Sequence, residues 1–233
     1  IDGDGALGIT AANVNLKADD TSVIMATAGA ASVANAFGFI GISVSTGKAV
    51  AQNHISNQVE AYIKNADTGV TTTSGGSIRV EAIETATIKA VAASAAEASA
   101  GGLVGVAVSG AGAGATNIIL TNTNAFVENS KIISADDVML AATNTSTINA
   151  KIVSTSDAEA GGLVGVGSSI GSSTARNLIG YDLAGNRTPA QVQAYVKNSS
   201  INAAGDLIQT ATAVETINCL LYTSDAADEE DSV

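Results

Sequence analysis

One histidine and one cysteine are all that this 233-residue chain offers for imidazole or thiolate chemistry. His54 sits in "QNHISNQ", and its counterparts in two later internal copies are Ile118 and Leu178. A ligand or general base at a position that is otherwise apolar would stand alone, whereas a metal site of the usual kind needs about four converging groups. Asp2 and Asp4 alternate with glycine in "IDGDG". Glycine-rich acidic loops can supply calcium with about six to eight oxygens, but only as several successive copies. A single copy reads as an Asp-Gly turn. Asp136 and Asp137 could act as paired carboxylates on a glycan only if both faced one side. Neighbours in a strand face opposite sides, and these two align with Gly-Ser and Gly-Asp turn residues elsewhere in the chain. Lys64, Glu128 and Lys197 share one repeat position with alternating sign, which describes a solvated face. No Ser-His-Asp set and no phosphate-cradling glycine loop ahead of a helix can be assembled. These residues call for no catalytic group, no metal and no cofactor.

Polar residues that recur in register are more informative. Asn53, Asn117 and Asn177 form one such set, and Asn65, Asn129 and Asn198 another. Asparagine tolerates left-handed turn geometry, and stacked asparagines can form side-chain ladders. Both roles are structural. Threonine-rich stretches such as "TNTNA", "TNTSTINA" and "GVTTTSGG" raise a flat surface for ice or carbohydrate. That surface would need Thr at one place on every coil, but Thr121 and Thr123 fall opposite Asn57 and Val59. No such surface is expected.

The elements that must position these residues follow from an internal repeat. "GFIGISVSTGKAVAQN" (38–53), "GLVGVAVSGAGAGATN" (102–117) and "GLVGVGSSIGSSTARN" (162–177) align. Each is followed by a second block ("VEAYIKNA", "TNAFVENS", "VQAYVKNS") and a third ("SIRVEA", "DVMLAA", "DLIQTA"), with an earlier copy in "NVNLKA". The first interval is 64 residues and the second runs from 60 to 69, lengthened by "YDLAGNRTP" (181–189). Within the blocks, apolar and small residues alternate with period two, as in "LVGVAVSG", where Val104, Val106 and Val108 share one face and Gly105, Ala107 and Ser109 the other. That is a strand pattern. Strands in a long repeat with a single proline predict an all-β fold, a parallel β-solenoid of ~64-residue repeats. At roughly 20 residues per turn, each repeat would hold about three coils. In a second geometry the strands flanking Gly-Gly form a projecting antiparallel hairpin. A membrane-spanning reading of residues 90–115 fails, because Glu97 interrupts it and the third copy is too polar.

Composition agrees with closely stacked sheets. Aromatics are 3% of the chain, there is no tryptophan, and much of the hydrophobic fraction is Ala and Val. The net charge of −12 comes from 22 acidic and 10 basic residues. With no basic stripe, the chain is not expected to bind nucleic acid or an anionic membrane surface. The closing run "CLLYTSDAADEEDSV" (219–233) holds the one cysteine and five of the acids. Ala18, Ala82 and Ala142 are each followed eight residues later by Ala26, Ala90 and Ala150, but Ala211 leads to Cys219. From there the run reads as sequencing-adapter read-through, a non-native or disordered tail. The expected organisation is a repetitive segment over 1–218, with units of roughly 13–76, 77–136 and 137–205 and a partial one at 206–218. Beginning at Ile1, it reads as an internal piece of a longer chain.

The unit "ILTNTNAFVENSKIISADDVMLAATNTSTINAKI" (119–152), alternating with "GGLVGV" segments, resembles the repeat region of giant bacterial surface proteins of the filamentous-haemagglutinin and leukotoxin-like adhesin type. The resemblance spans essentially all of 1–218. It implies export, an extracellular or cell-surface location, and a non-enzymatic role as stalk or adhesion surface. Implied partners are surface glycans or proteins, with neighbouring repeats of the same chain packing on one another. It carries no catalytic residues. The 181–189 loop departs from the repeat, and its Tyr181, Arg187 and Pro189 are the candidate partner contacts. A β-helix enzyme acting on polysaccharide is the alternative.

Overall fold

The computed structural model describes residues 1–188 and 190–227. Three kinds of strand alternate along them. Outbound strands β2 (Val14–Phe37), β5 (Ile78–Gly101), β8 (Val138–Gly161) and β12 (Leu207–Ala227) run from a base to a crest. Return strands β3 (Ile40–Lys64) and β6 (Val104–Glu128) run back, and the third copy divides into β9 (Val164–Ile179) and β10 (Gln191–Lys197). Short strands β1 (Ile9–Ala11), β4 (Val70–Thr72), β7 (Lys131–Ser134) and β11 (Ser200–Ala203) close the base. Each kind pairs only with its own kind, in parallel, giving three sheets stacked along one axis. The fold is an all-β parallel β-solenoid. No helix long and apolar enough to cross a membrane occurs among the described residues.

Two expectations are corrected. Val14 pairs with Ile78, Ile78 with Val138 and Val138 with Leu207, so each sequence repeat is one coil and not about three. The alternation in β5 continues for 24 residues and in β6 for 25, with nothing to turn the chain before the crest. The Gly-Gly pairs are also not hairpin turns. Gly101–Gly102 carries the chain from the outbound to the return sheet, and the two strands face each other through side chains rather than sharing hydrogen bonds. Gly102 has φ +155°, and a Cβ there would lie 1.9 Å from the Gly38 carbonyl oxygen of the coil before. Only glycine allows crests to stack this closely.

The interior thins from base to crest. At the base, where three sheets meet, Ile63, Val70, Ile78, Val80, Val127, Ile132 and Leu140 are fully buried. Toward the crest the base sheet is gone and the two long sheets form a fin, packed through Ala98, Ala100, Ala107 and Ala158. Serines fill the gap: Ser109 Oγ donates to the Ala96 carbonyl (2.7 Å), and Ser156 Oγ donates to Ser109 Oγ (2.9 Å). One inner row, Gly41–Gly105–Gly165, has no room for a methyl group. A Cβ at Gly105 would lie 2.8 Å from Gly161 O and 3.1 Å from Ala100 O. The Gly/Ala/Ser face of "LVGVAVSG" therefore points inward and its valines point out.

This thin interior predicts a contrast between two glycines of one strand. Gly105→Val should lower stability by about 1–3 kcal/mol through overpacking. Gly112→Ala, whose added methyl meets open space, should leave the melting temperature unchanged or slightly raised. Thermal denaturation followed by circular dichroism compares them, and equal shifts would refute a crest built on backbone proximity.

Candidate functional site

The polar rows expected from sequence divide into two structural roles. Asn53, Asn117 and Asn177 form an interior ladder, each Nδ2 donating to the next Oδ1 at 2.8 and 2.7 Å. Asn65, Asn129 and Asn198 turn the chain from the return sheet to the base at φ of 55°, 48° and 49°, in the left-handed region that asparagine tolerates. Asp136 and Asp137 belong to the turn ahead of β8, where Asp136 accepts from Ser77 Oγ (3.0 Å) and Asp137 from the Asp206 amide (2.8 Å). Asp2 accepts from Asn65 Nδ2 (2.8 Å), and Asp4 accepts from the Gly69 amide. His54 points outward beside Ile118. Among the described residues no group of three or more His, Cys, Asp or Glu could hold a metal ion. Cys219 is exposed, within β12, opposite Ala150.

The insertion makes a small ordered knob on the return sheet. β9 pairs with β6 up to Ile119, and β10 resumes the same partner at Asn122, so the extra residues leave the register intact. Tyr181 and Arg187 form an antiparallel bridge. Between them Asp182 accepts from the Asn186 amide (2.8 Å) and from Asn186 Nδ2 (3.0 Å). These bonds hold the Asp182 carboxyl below its usual range. Tyr181 and Arg187 are both exposed. Pro189, the third expected contact, lies outside the described residues.

At the base of the return sheet two columns run outward along the stack. Tyr62, Phe126 and Tyr195 stack with ring centroids 5.0 Å apart. Beside them Glu128 lies between Lys197 (2.7 Å) and Lys64 (3.6 Å), and the Lys197 hydrogen bond first of all depresses its carboxyl pKa. The alternating signs seen in the sequence are thus an ion column. Phe126 has both faces covered by its neighbours in the column.

Threonine does recur in register on the outbound sheet, contrary to the sequence reading. Thr21–Thr85–Thr145 and Thr87–Thr147–Thr216 form two rows on its outer face. Thr121 and Thr123 lie in the interior and so take no part in either row. β-branched threonine suits the exposed side of a sheet and pairs well with itself across strands.

The most perturbed group was not anticipated. Glu84 is fully buried, one coil on from Asp20 in the same inner row. Asn57 Nδ2 reaches both carboxylates, at 2.7 Å from Asp20 Oδ2 and 3.2 Å from Glu84 Oε1. Glu84 Oε2 has no partner. Burial pushes the Glu84 pKa up to about 7, partly opposed by the Asn57 hydrogen bond and reinforced by Asp20. The next coil places neutral Asn144 in this row, bonded to Thr121 Oγ1 and Ser146 Oγ. The pair can hold a proton near neutral pH, but a polymer cannot reach a fully buried carboxyl. Glu84 falls in phase with Ala82, Ala86 and Ile88, a phase visible in the sequence, but which face looks inward is decided by the packing of the two sheets.

Glu84 sets the sign of a pH dependence. Its folded pKa of about 7 lies above the ordinary value of 4.5, so the folded form keeps a proton that the unfolded chain has lost. Stability contributed by this group is greatest below pH ~4.5 and falls as pH rises to ~7, by at most about 3 kcal/mol. Glu84→Gln should flatten that slope and melt higher than wild type at pH 8. Melting curves across the window measure it, and an unchanged slope in the variant would assign the effect elsewhere.

Comparison with family models, curated proteins and solved structures finds no match.

Proposed function

We propose that this chain is a non-enzymatic segment of a large exported bacterial surface protein of the filamentous-haemagglutinin-like kind, acting as an elongated stalk that presents an adhesion surface. The observation that carries the reading is the uninterrupted parallel register of the coils from Val14 to Leu207. Every coil bonds its backbone to the next, so length grows by ~4.8 Å per coil without any new kind of contact. Rigidity then comes from the ladders and not from a closed core, which suits holding other parts at a distance. The scarcity of cysteine before residue 219 suits an exported chain that folds without disulfides. Partner contact is assigned to the knob carrying Tyr181 and Arg187, where residues are inserted into the return strand without loss of register, with surface glycans or proteins as the partner class.

A panel of immobilised glycans and cell-surface proteins, probed with the purified chain, tests this. Binding is expected, with a loss of tenfold or more in Tyr181→Ala/Arg187→Ala while the melting temperature holds. Retained binding in that variant removes the knob from the reading. Release of sugar fragments from polysaccharide by the chain would replace the reading with the β-helix enzyme.

A further inference from the structure

The fin has two unlike flanks. On the return sheet, the outward rows nearest the crest are Ile40–Val104–Val164, Ile42–Val106–Val166 and Val44–Val108–Ser168. Exposure of Ile42 is 64%, of Val44 62% and of Val166 55%, and Phe39 (76%) and Leu163 (83%) extend the patch over the crest. No carboxylate occurs in Ile40–Val59, Val104–Val127 or Val164–Ile179, although the chain carries 22 acids and a net charge of −12. The outbound flank near the crest instead exposes Glu97, Asp157 and Glu159.

We propose that the return flank is a lateral self-association surface, on which a second copy of this chain packs the same flank face to face. From crest to trough the return flank carries one charge, Lys48 on the outermost coil, whose long stem lets the ammonium reach water at the rim of the contact. Charge therefore selects that occupant over the other pairings available to the chain. Two outbound flanks would bring Glu97, Asp157 and Glu159 against their own copies, and an outbound flank on a return flank would bury those carboxylates against valines. Shape agrees. Next to the valine rows, Gly110, Gly112 and Gly114 floor a trough of about 580 Å³, walled by Thr46, Lys48 and Val50 on one side and Ile170, Ser172 and Thr174 on the other. A two-fold axis through Val108 turns the protruding crest of one copy over the trough of the other, an isologous contact. Each outward position covers roughly 30 Å² of sheet plane (~4.8 Å by ~6.6 Å), so the three coils offer on the order of 600 Å² from crest to trough. A stable interface takes about 800 Å² per partner. Association of this chain is therefore weak and reversible, and strengthens with each added coil. The inference stands independently of the adhesive reading.

Sedimentation equilibrium of the chain at concentrations up to about 1 mM tests it, with Val106→Lys, which charges the apolar rows, and Gly112→Gln, which fills the trough where an added side chain meets open space. A monomer–dimer equilibrium weakened at least tenfold in both variants, with circular dichroism unchanged, is the expected result. A chain that stays monomeric throughout overturns the proposal. So does dimerisation unaffected by either substitution, or an open-ended series of species indifferent to both, which would mean end-to-end pairing of sheet edges. Binding of wild-type chain to phosphatidylcholine vesicles without any dimer, lost in Val106→Lys, would assign the flank to lipid instead and equally overturn it.

Discussion

The separation between the outbound and return sheets is the constraint on which the rest depends. Facing sheets usually lie ~10 Å apart. In the fin they come so close that a methyl group at Gly105 would strike the backbone of the opposite sheet. Beside the crest only Gly, Ala and Ser fit inside. The larger β-branched residues, which stiffen strands and give them their propensity, are displaced to the outer face. An exposed valine surface is thus a consequence of a thin interior beside the crest. The usual arrangement of large apolar residues inside returns away from it, first with Ile88, Ile119, Ile148 and Ile152 between the two long sheets and then at the base, where a third sheet widens the cross-section.

Such an interior buries little apolar area per residue, and the coil-to-coil hydrogen bonds carry correspondingly more of the cohesion. Side chains continue the same pattern. A buried amide is costly when unpaired, but in a stack each Asn of the 53–117–177 ladder finds its partner in the neighbouring coil. The ladder tolerates polar residues inside as long as like follows like. Glu84 shows what happens when the row is broken: between Asp20 and Asn144 it has one hydrogen bond to Asn57, an unpartnered oxygen and a raised pKa.

Outside, the same register creates columns whose character changes from base to crest. At the base, stacked Tyr62, Phe126 and Tyr195 and the Lys64–Glu128–Lys197 column tie successive coils together, with each aromatic pair contributing about 0.5–1.5 kcal/mol. At the crest the return flank is apolar and free of carboxylates. Between them the knob at Tyr181–Arg187 interrupts β9 and β10 without disturbing the sheet. A single repeated backbone thereby supports three different exteriors.

Period-two alternation, the spacing of the blocks, the turn role of Asn129 and the surface position of residues 181–188 were all legible in the sequence, because each depends on local geometry or on self-similarity. Stacking of Asn53 on Asn117 was legible for the same reason. Coil length was not: alternation says that a segment is a strand, whereas the place where it turns is set by whether Gly101 and Gly102 can stack on Phe37 and Gly38 of the coil before. Nor could alternation tell which face of "LVGVAVSG" looks inward, since hydrophobicity alone points to the valines. The closeness of the opposing sheet decides in favour of glycine, alanine and serine. The threonine rows and the burial of Glu84 follow from that same choice of face, which exists only once two sheets are packed together.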